Sequence, residues 1–242
     1  MIGNEVFRKY NVRPTIQVGV YFFALFSYLN ILLPNLLRDL GADIFLASGV
    51  LALFVVILFI YMLSLHTFRV EKGKGRLLLC VATIFLFMNF LYFSNFIPPI
   101  PLSIREAGVY HEIERVNGNY YALTEKSGSY LEYILLRKRR HIEEERESIY
   151  IFSAVHAPED MRLDVQHEWQ VFDENERSFI TVAEIPFEVT GGREEGYSWF
   201  TYYNAYPGRW RVNIRTGEGQ IIGREDFYVI KEEGVERIVK EI

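Results

Sequence analysis

Three apolar runs dominate the N-terminal part of this chain, from about Ile16 to Leu33, Ile44 to Leu65 and Leu77 to Ile97, and none contains an Asp, Glu, Lys or Arg. A helix needs about 20 apolar residues to cross a hydrocarbon core of roughly 30 Å, and each run falls in that range. Inside a bilayer the backbone N–H and C=O groups have to be satisfied within the segment, so each run is expected as a transmembrane helix. The second, IFLASGVLALFVVILFIYMLSL, is the least ambiguous, because its polar groups are small and can bond back to their own helix. The first and third carry Asn30, Asn89 and Asn95, read as inter-helix or interfacial hydrogen-bonding residues before any transport role. A cleaved signal peptide is the competing account of the first run, since Arg8, Lys9 and Arg13 precede it. Against that stand an apolar stretch longer than a usual signal core and the lack of a clear small-x-small cleavage site after it.

Basic residues near span ends set the expected orientation. Arg8, Lys9 and Arg13 precede the first span, and Arg69, Lys72, Lys74 and Arg76 lie between the second and third. The other side has Arg38 in the first loop, then Arg105 and Arg115. The N-terminus is therefore expected in the cytoplasm, and everything after the third span on the opposite side. The cluster Arg137 to Arg140 lies far enough into the following domain for the rule to weaken.

After the third span, FIPPIPLS carries Pro98, Pro99 and Pro101, which forbid a continuing helix and favour a stiff extended linker. The division expected is a three-helix anchor over 1–97, a proline-rich linker over 98–106 and an exported β domain over 107–242. A net charge of -5 gives no basic excess, so a nucleic-acid partner is not expected. The one cysteine, Cys80, sits in the third run, so the chain has neither an internal disulfide nor paired thiolates for a metal.

Beyond the linker the pattern changes to period two. VYHEIERV and NYYALTE flank Asn117-Gly118, a strong hairpin signal, and Ser148 to His156 reads as a buried strand. Leu163, Val165, His167, Trp169 and Val171 alternate with Asp164, Gln166, Glu168 and Gln170, giving a strand with one polar face. Phe179 to Val189 and Tyr197 to Asn204 continue the pattern across Gly191-Gly192. Trp210, Val212 and Ile214 are then expected inward and Arg209, Arg211, Asn213 and Arg215 outward, before a turn at 216–219 leads into a last strand over 220–230. Seven or more short strands at this spacing predict an all-β antiparallel sandwich of immunoglobulin-like type. The charge-rich stretch Leu131 to Ser148 reads as a helix or a solvated loop, and Glu232 to Ile242 as a short terminal helix.

The runs FIPPIPLSIREAGVYHEIER, IYIFSAVHAPEDMRLDVQHEWQVF and VTGGREEGYSWFTYYNAYPGRWRVNIRTGEGQIIGREDFYVI resemble the bacterial domain-of-unknown-function family 2914, in its version with a preceding membrane region. The most specific part is GGR-x-x-GY followed by G-x-WRV-x-x-x-T-x-x-GQ-x-IGR. This resemblance implies a membrane-associated bacterial protein with a β-rich exported domain and brings no established activity; the location expected is the cytoplasmic membrane of a bacterium.

Two groups of residues are candidates for function. Tyr197, Trp199 and Tyr203 share one strand face while Phe200 and Tyr202 share the other; a single face can enter a core, so some rings are expected to stay accessible. Arg193, Arg209, Arg211 and Arg215 could add a basic strip beside them, though a solvated strand face is the simpler reading. The second group is polar: His156, His167 and Glu168, with Asp160 and Asp164 nearby. His167 shares the inward face with Trp169, so a core histidine is favoured over a metal ligand or a catalytic base. Gly191, Gly192 and Gly196 read as turn glycines, since a strand and not a helix follows them. No metal or cofactor is expected. Beyond the lipid bilayer, the expected partner is an envelope protein or glycan held by the β domain; an envelope glycan- or lipid-modifying enzyme and an accessory subunit of a membrane complex are the alternatives.

Overall fold

The computed structural model describes residues 14–66, 68–125, 138–159 and 161–242. Two compact units divide the chain, Met1–Pro101 and Leu102–Ile242. The first contains helices α1 (Pro14–Leu37), α2 (Ala42–His66) and α3 (Phe68–Phe93). All three are long and apolar enough to cross a membrane, over Pro14–Leu37, Ala42–Leu65 and Gly73–Phe93, which marks a membrane protein. Arg8, Lys9 and Arg13, used above for orientation, lie outside the described residues.

The third helix differs from its expected span at both ends. Its backbone is helical from Phe68, so Arg69, Lys72, Lys74 and Arg76 belong to its first turns and not to a loop. Lys, Arg and Glu are good helix formers, and nothing obliges a helix to stop where its apolar run stops. It ends at Phe93, short of Ile97, because Asn95 takes a left-handed conformation (φ 55°) and the Phe96 N–H turns back to the Leu91 carbonyl at 3.0 Å. That is a Schellman-type cap, with Asn in the position glycine usually fills.

Inside the helical unit Phe22, Phe26, Ala52, Val56 and Val81 are buried, and the rings of Phe45 and Tyr92 stack at 3.8 Å. Gly49 admits the Phe85 and Phe26 rings, since a Cβ there would lie 2.6 Å from a Phe85 ring carbon and 3.1 Å from Phe26. Val20, Phe54, Leu79, Phe87 and Phe90 face outward and exposed, the surface a bilayer would solvate.

The second unit is all β: β1 (Ser103–Tyr110), β2 (Glu112–Val116), β3 (Asn119–Glu125), β4 (Lys138–Ile142), β5 (Glu147–His156), β6 (Arg162–Asp173), β7 (Ser178–Thr190), β8 (Tyr197–Ala205), β9 (Gly208–Thr216), β10 (Ile221–Lys231) and β11 (Arg237–Glu241). They form three sheets in the orders β1-β5-β8, β4-β10-β9-β6-β7 and β11-β3-β2. Among the described residues every pairing is antiparallel except β4 with β10. The expected all-β unit of antiparallel sheets is thus present, with one parallel edge and a small third sheet added.

Val109, Ile149 and Ile151 from the first sheet pack against Trp169, Trp210, Val212 and Phe227 from the second. Tyr110, Phe152 and Ala154 turn the other way and meet Ile113 and Ala122 of the third. Strand β5 is therefore covered on both faces, which is why SIYIFSAVH reads as a continuous apolar run. The Asn117-Gly118 hairpin forms as expected, with both residues at positive φ (52° and 96°), the signature of a type I′ turn. Pro186 is accommodated because β7 is an edge strand.

Two expectations need correction. Residues 126–137 of the charge-rich stretch lie outside the described residues, but Lys138–Ile142 is a strand and neither helix nor loop. Ile142 is fully buried, and the Arg140 guanidinium is spent on the Val109 carbonyl at 2.7 and 2.9 Å, so a basic segment serves as a sheet edge. The C-terminal stretch pairs as β11 with β3 in place of a helix. A helix of so few residues is not stable by itself, whereas an open strand edge satisfies its backbone directly.

Candidate functional site

Strand β8 forms one edge of the first sheet, and its rings divide between the two faces of that sheet. On the face toward the second sheet, Tyr203 enters the core, 5.9 Å from Trp169 and 5.6 Å from Trp210 between ring centres. Trp199, two pairs further along, is 41% exposed and lies between Phe187 of β7 and Tyr197, its plane within 15° and 22° of theirs. The exposed Arg193 covers Tyr197 at 5.0 Å. On the opposite face Phe200 packs with Tyr120 and Tyr150, while Tyr202, 57% exposed, leans on Tyr150 at 5.3 Å. Of the five aromatic side chains singled out in this strand, Trp199 and Tyr202 are open to solvent and Tyr203 is structural.

Gly191 positions this edge. Its amide donates to the Met161 carbonyl at 2.8 Å, and a Cβ on it would overlap the Pro158 carbonyl oxygen at 1.8 Å. The β7–β8 connection is thereby pressed onto Ala157–Pro158, a turn as the sequence indicated.

The basic strip is used internally. Arg211 lies 3.9 Å over the Phe179 ring and donates to Asp226 at 2.8 Å; Arg209 covers Phe179 and Phe172 at 5.0 and 5.5 Å. Arg215 donates to Glu168 at 2.7 Å and to the Gly219 carbonyl. These guanidiniums stiffen the outer face of the five-stranded sheet by stacking and pairing.

His156, His167 and Glu168 do not converge. His167 has 0% exposure and bridges Ser153 (2.8 Å) and Thr201 (3.0 Å), the latter also accepting from the Trp169 indole at 3.3 Å. Burial pushes its pKa down to about 3, so the imidazole is neutral. A serine beside a histidine is the arrangement that activates a nucleophile, but here both side chains are sealed in the core. Glu168 points to the opposite face, accepting from Asn213, Arg215 and Thr181 at 2.8, 2.7 and 3.0 Å. His156 bonds the Arg193 carbonyl at 3.0 Å. Asp160 lies outside the described residues.

The structure gathers a group that no spacing in the sequence announces. Glu125, ending β3, receives the His111 ring at 2.8 Å and the His141 ring at 2.9 Å. Burial alone would raise its pKa, but the hydrogen bonds from His111 and from the His141 backbone and ring, with the Arg140 charge, outweigh that and bring it down to about 2. Beside it Glu147 pairs with Arg237 at 2.9 Å, and a cleft of about 560 Å³ opens over His111, Glu147 and Arg237. Among the described residues no set of three or more His, Cys, Asp or Glu is arranged to hold a metal. In this trio His111 Nε2 and His141 Nδ1 bond the Glu125 carboxylate, while His111 Nδ1 is buried without a hydrogen-bond partner.

Residues 163–229, running from β6 through most of β10, match the family described as "Protein of unknown function (DUF2914)". The match takes in the aromatic edge and the Glu168 network and leaves out His111, Glu125 and His141. No curated protein matches. Similar solved structures include a beta-glucosidase from Listeria innocua in complex with glucose (14% identity, TM-score 0.28, 46% of this chain and 17% of that one). Others are the Pseudomonas fluorescens alkylpurine DNA glycosylase AlkC bound to DNA containing an abasic site analog (12%, 0.32, 85% and 51%) and the N-terminal domain of PorA (10%, 0.24, 53% and 99%). At these TM-scores none bears on fold or chemistry.

Proposed function

We propose that this protein is a membrane-anchored binding module: the helical unit holds it in the cytoplasmic membrane of a bacterium, and the β unit, on the non-cytoplasmic side, engages an envelope protein or glycan through the edge of β8. One observation carries the reading. Trp199 and Tyr202, 41% and 57% exposed, project from opposite faces of a single edge strand and are each backed by further rings. A lone exposed ring is ordinary, but rings held in place by other rings lose little freedom when a ligand covers them. The enzymatic alternative loses its candidates, since His167 is sealed and Glu168 is committed to Arg215 and Asn213. The subunit alternative is weakened too, because Gly19 and Gly49 are spent on contacts within the three-helix unit, against Cys80, Ile84 and Phe85.

Affinity purification of the full-length protein in mild detergent, beside a Trp199→Ala/Tyr202→Ala variant, tests it. The expected result is a protein or glycan retained by the parent chain and lost from the variant. Recovery of both chains unaccompanied, or with the same companion, contradicts it.

A further inference from the structure

The helical unit contains a partly open cavity of about 210 Å³ lined by Phe23, Asn30, Phe45, Met88 and Tyr92 and by Pro98–Ile100. Its wall is mostly apolar, with Ser27, Asn30 and the Tyr92 hydroxyl as the polar side-chain groups. Asn30 is 7% exposed and lines the cavity; it makes no side-chain hydrogen bond among the described residues, and its amide opens onto the cavity and is not sealed in packed protein. Other polar side chains of the helices behave differently. Ser48 donates to the Ile44 carbonyl, Thr83 to Leu79 and Asn89 to Phe85, each at 2.8 Å and each within its own helix. Asn30 makes no such bond to its own helix. The residue four positions later is Pro34, which has no N–H to offer, so the Asn30 carbonyl also lacks its ordinary helical donor. Ser27, one turn before Asn30, lines the same space with no partner among the described residues.

An unpaired amide inside a membrane-spanning bundle is costly, because lipid tails offer nothing to bond with. Water can satisfy the polar corner, where the Asn30 amide, the Asn30 carbonyl and Ser27 supply the two to four partners it needs, but it leaves the apolar remainder of the wall unfilled. What fits both parts is an amphiphile whose polar atoms meet the amide and whose hydrocarbon meets Phe23, Phe45 and Met88. The volume is below the roughly 300–1,000 Å³ of sites that enclose a whole drug-sized ligand, so it takes one segment of a longer molecule. We infer that this cavity binds a membrane lipid, with an ester or amide carbonyl of the lipid accepting from the Asn30 amide and part of one hydrocarbon chain filling the apolar end. The inference rests on the helices lying in a bilayer and is independent of what the β8 edge binds.

The test uses the full-length protein in nanodiscs of phosphatidylethanolamine and phosphatidylglycerol, doped with phosphatidylglycerol carrying a diazirine in its acyl chain. After irradiation, labelled residues are mapped by peptide mass spectrometry. Label is expected at Phe45 and Met88 above the level at the outward-facing Phe23, Phe54 and Leu79. Asn30→Leu is expected to lower the cavity label roughly three- to tenfold, the range one hydrogen bond in a membrane commands. Met88→Trp, which fills the space and leaves the amide intact, is expected to lower it too, so a folding defect in one variant does not remove the test. Trp199→Ala should leave the label unchanged, which separates this result from the fate of the β8 edge. Label spread evenly over the outward faces, or cavity label indifferent to both cavity variants, overturns the inference and leaves water or annular lipid as the occupant.

Discussion

Acidification should destabilise the β unit through His167 before its surface carboxylates are all protonated. The imidazole is enclosed by Ser153, Thr201 and Phe187, and burial holds its pKa at about 3 against an ordinary 6.5. A group whose folded pKa is depressed in this way leaves the unfolded chain binding the extra proton between the two values, so stability falls as pH falls through that window. Each pH unit is worth about 1.36 kcal/mol, so going from pH 6.5 to 4 removes about 3 kcal/mol, a large share of the roughly 5–15 kcal/mol typical of a domain. The three tryptophans, Trp169, Trp199 and Trp210, all lie in the β unit, so indole fluorescence reports this unit within the full-length protein. Urea unfolding in detergent at several pH values, for the parent chain and for His167→Gln, isolates the effect. Above pH 7 the variant should be the less stable of the two by a constant amount, and below pH 6.5 the gap should close by about 1.4 kcal/mol per unit. Parallel pH profiles for the two chains would refute the reasoning.

Further expectations follow from other contacts. Glu125 is held at about 2, so its contribution is complete above the ordinary value near 4.5 and is lost as pH falls toward 2. Glu125→Gln should cost on the order of 2–3 kcal/mol at pH 7 by urea unfolding, and a loss of the same size at pH 2.5 would contradict the assignment. Trp210→Ala, which empties a fully buried site, should cost about 3–5 kcal/mol in the same assay, against about 1 kcal/mol or less for Trp199→Ala at the exposed edge. Gly49→Leu should wedge the helices apart at Phe85 and Phe26 and lower the temperature at which helical circular dichroism is lost in detergent; an unchanged melt would contradict the packing.

What the sequence made legible follows the physics that acts locally. Uninterrupted apolar runs revealed the helices because a bilayer imposes one length and forbids charge. Period two revealed β6 and β9, and Asn117-Gly118 fixed a hairpin, since these depend on residues two or three apart. Helix ends were less legible: α3 begins with a charged turn and is capped by Asn95, and neither feature changes an apolar pattern. Strands β4 and β11 were hidden because their stability comes from distant partners, β10 and β3, and because Arg140 buries its charge on a backbone carbonyl. The aromatic strand showed the correct alternation, but not that one face runs from core at Tyr203 to solvent at Trp199. Glu168 was placed on the outer face, where Arg215, Asn213 and Thr181 then bury it. His111, Glu125 and His141 meet only through sheet pairing, and no local pattern carries that information.

The placement of the two units about the bilayer is tested most directly by labelling single cysteines in spheroplasts of a bacterial host with a membrane-impermeant maleimide, in a Cys80→Ser background. A cysteine at Asn175, in the exposed turn between β6 and β7, should react without permeabilisation, and one at Gly73, where the third span begins, only after it. Protection of the Asn175 position until the membrane is opened, or release of the chain from membranes by alkaline carbonate, would contradict a β unit displayed outside on three membrane-spanning helices.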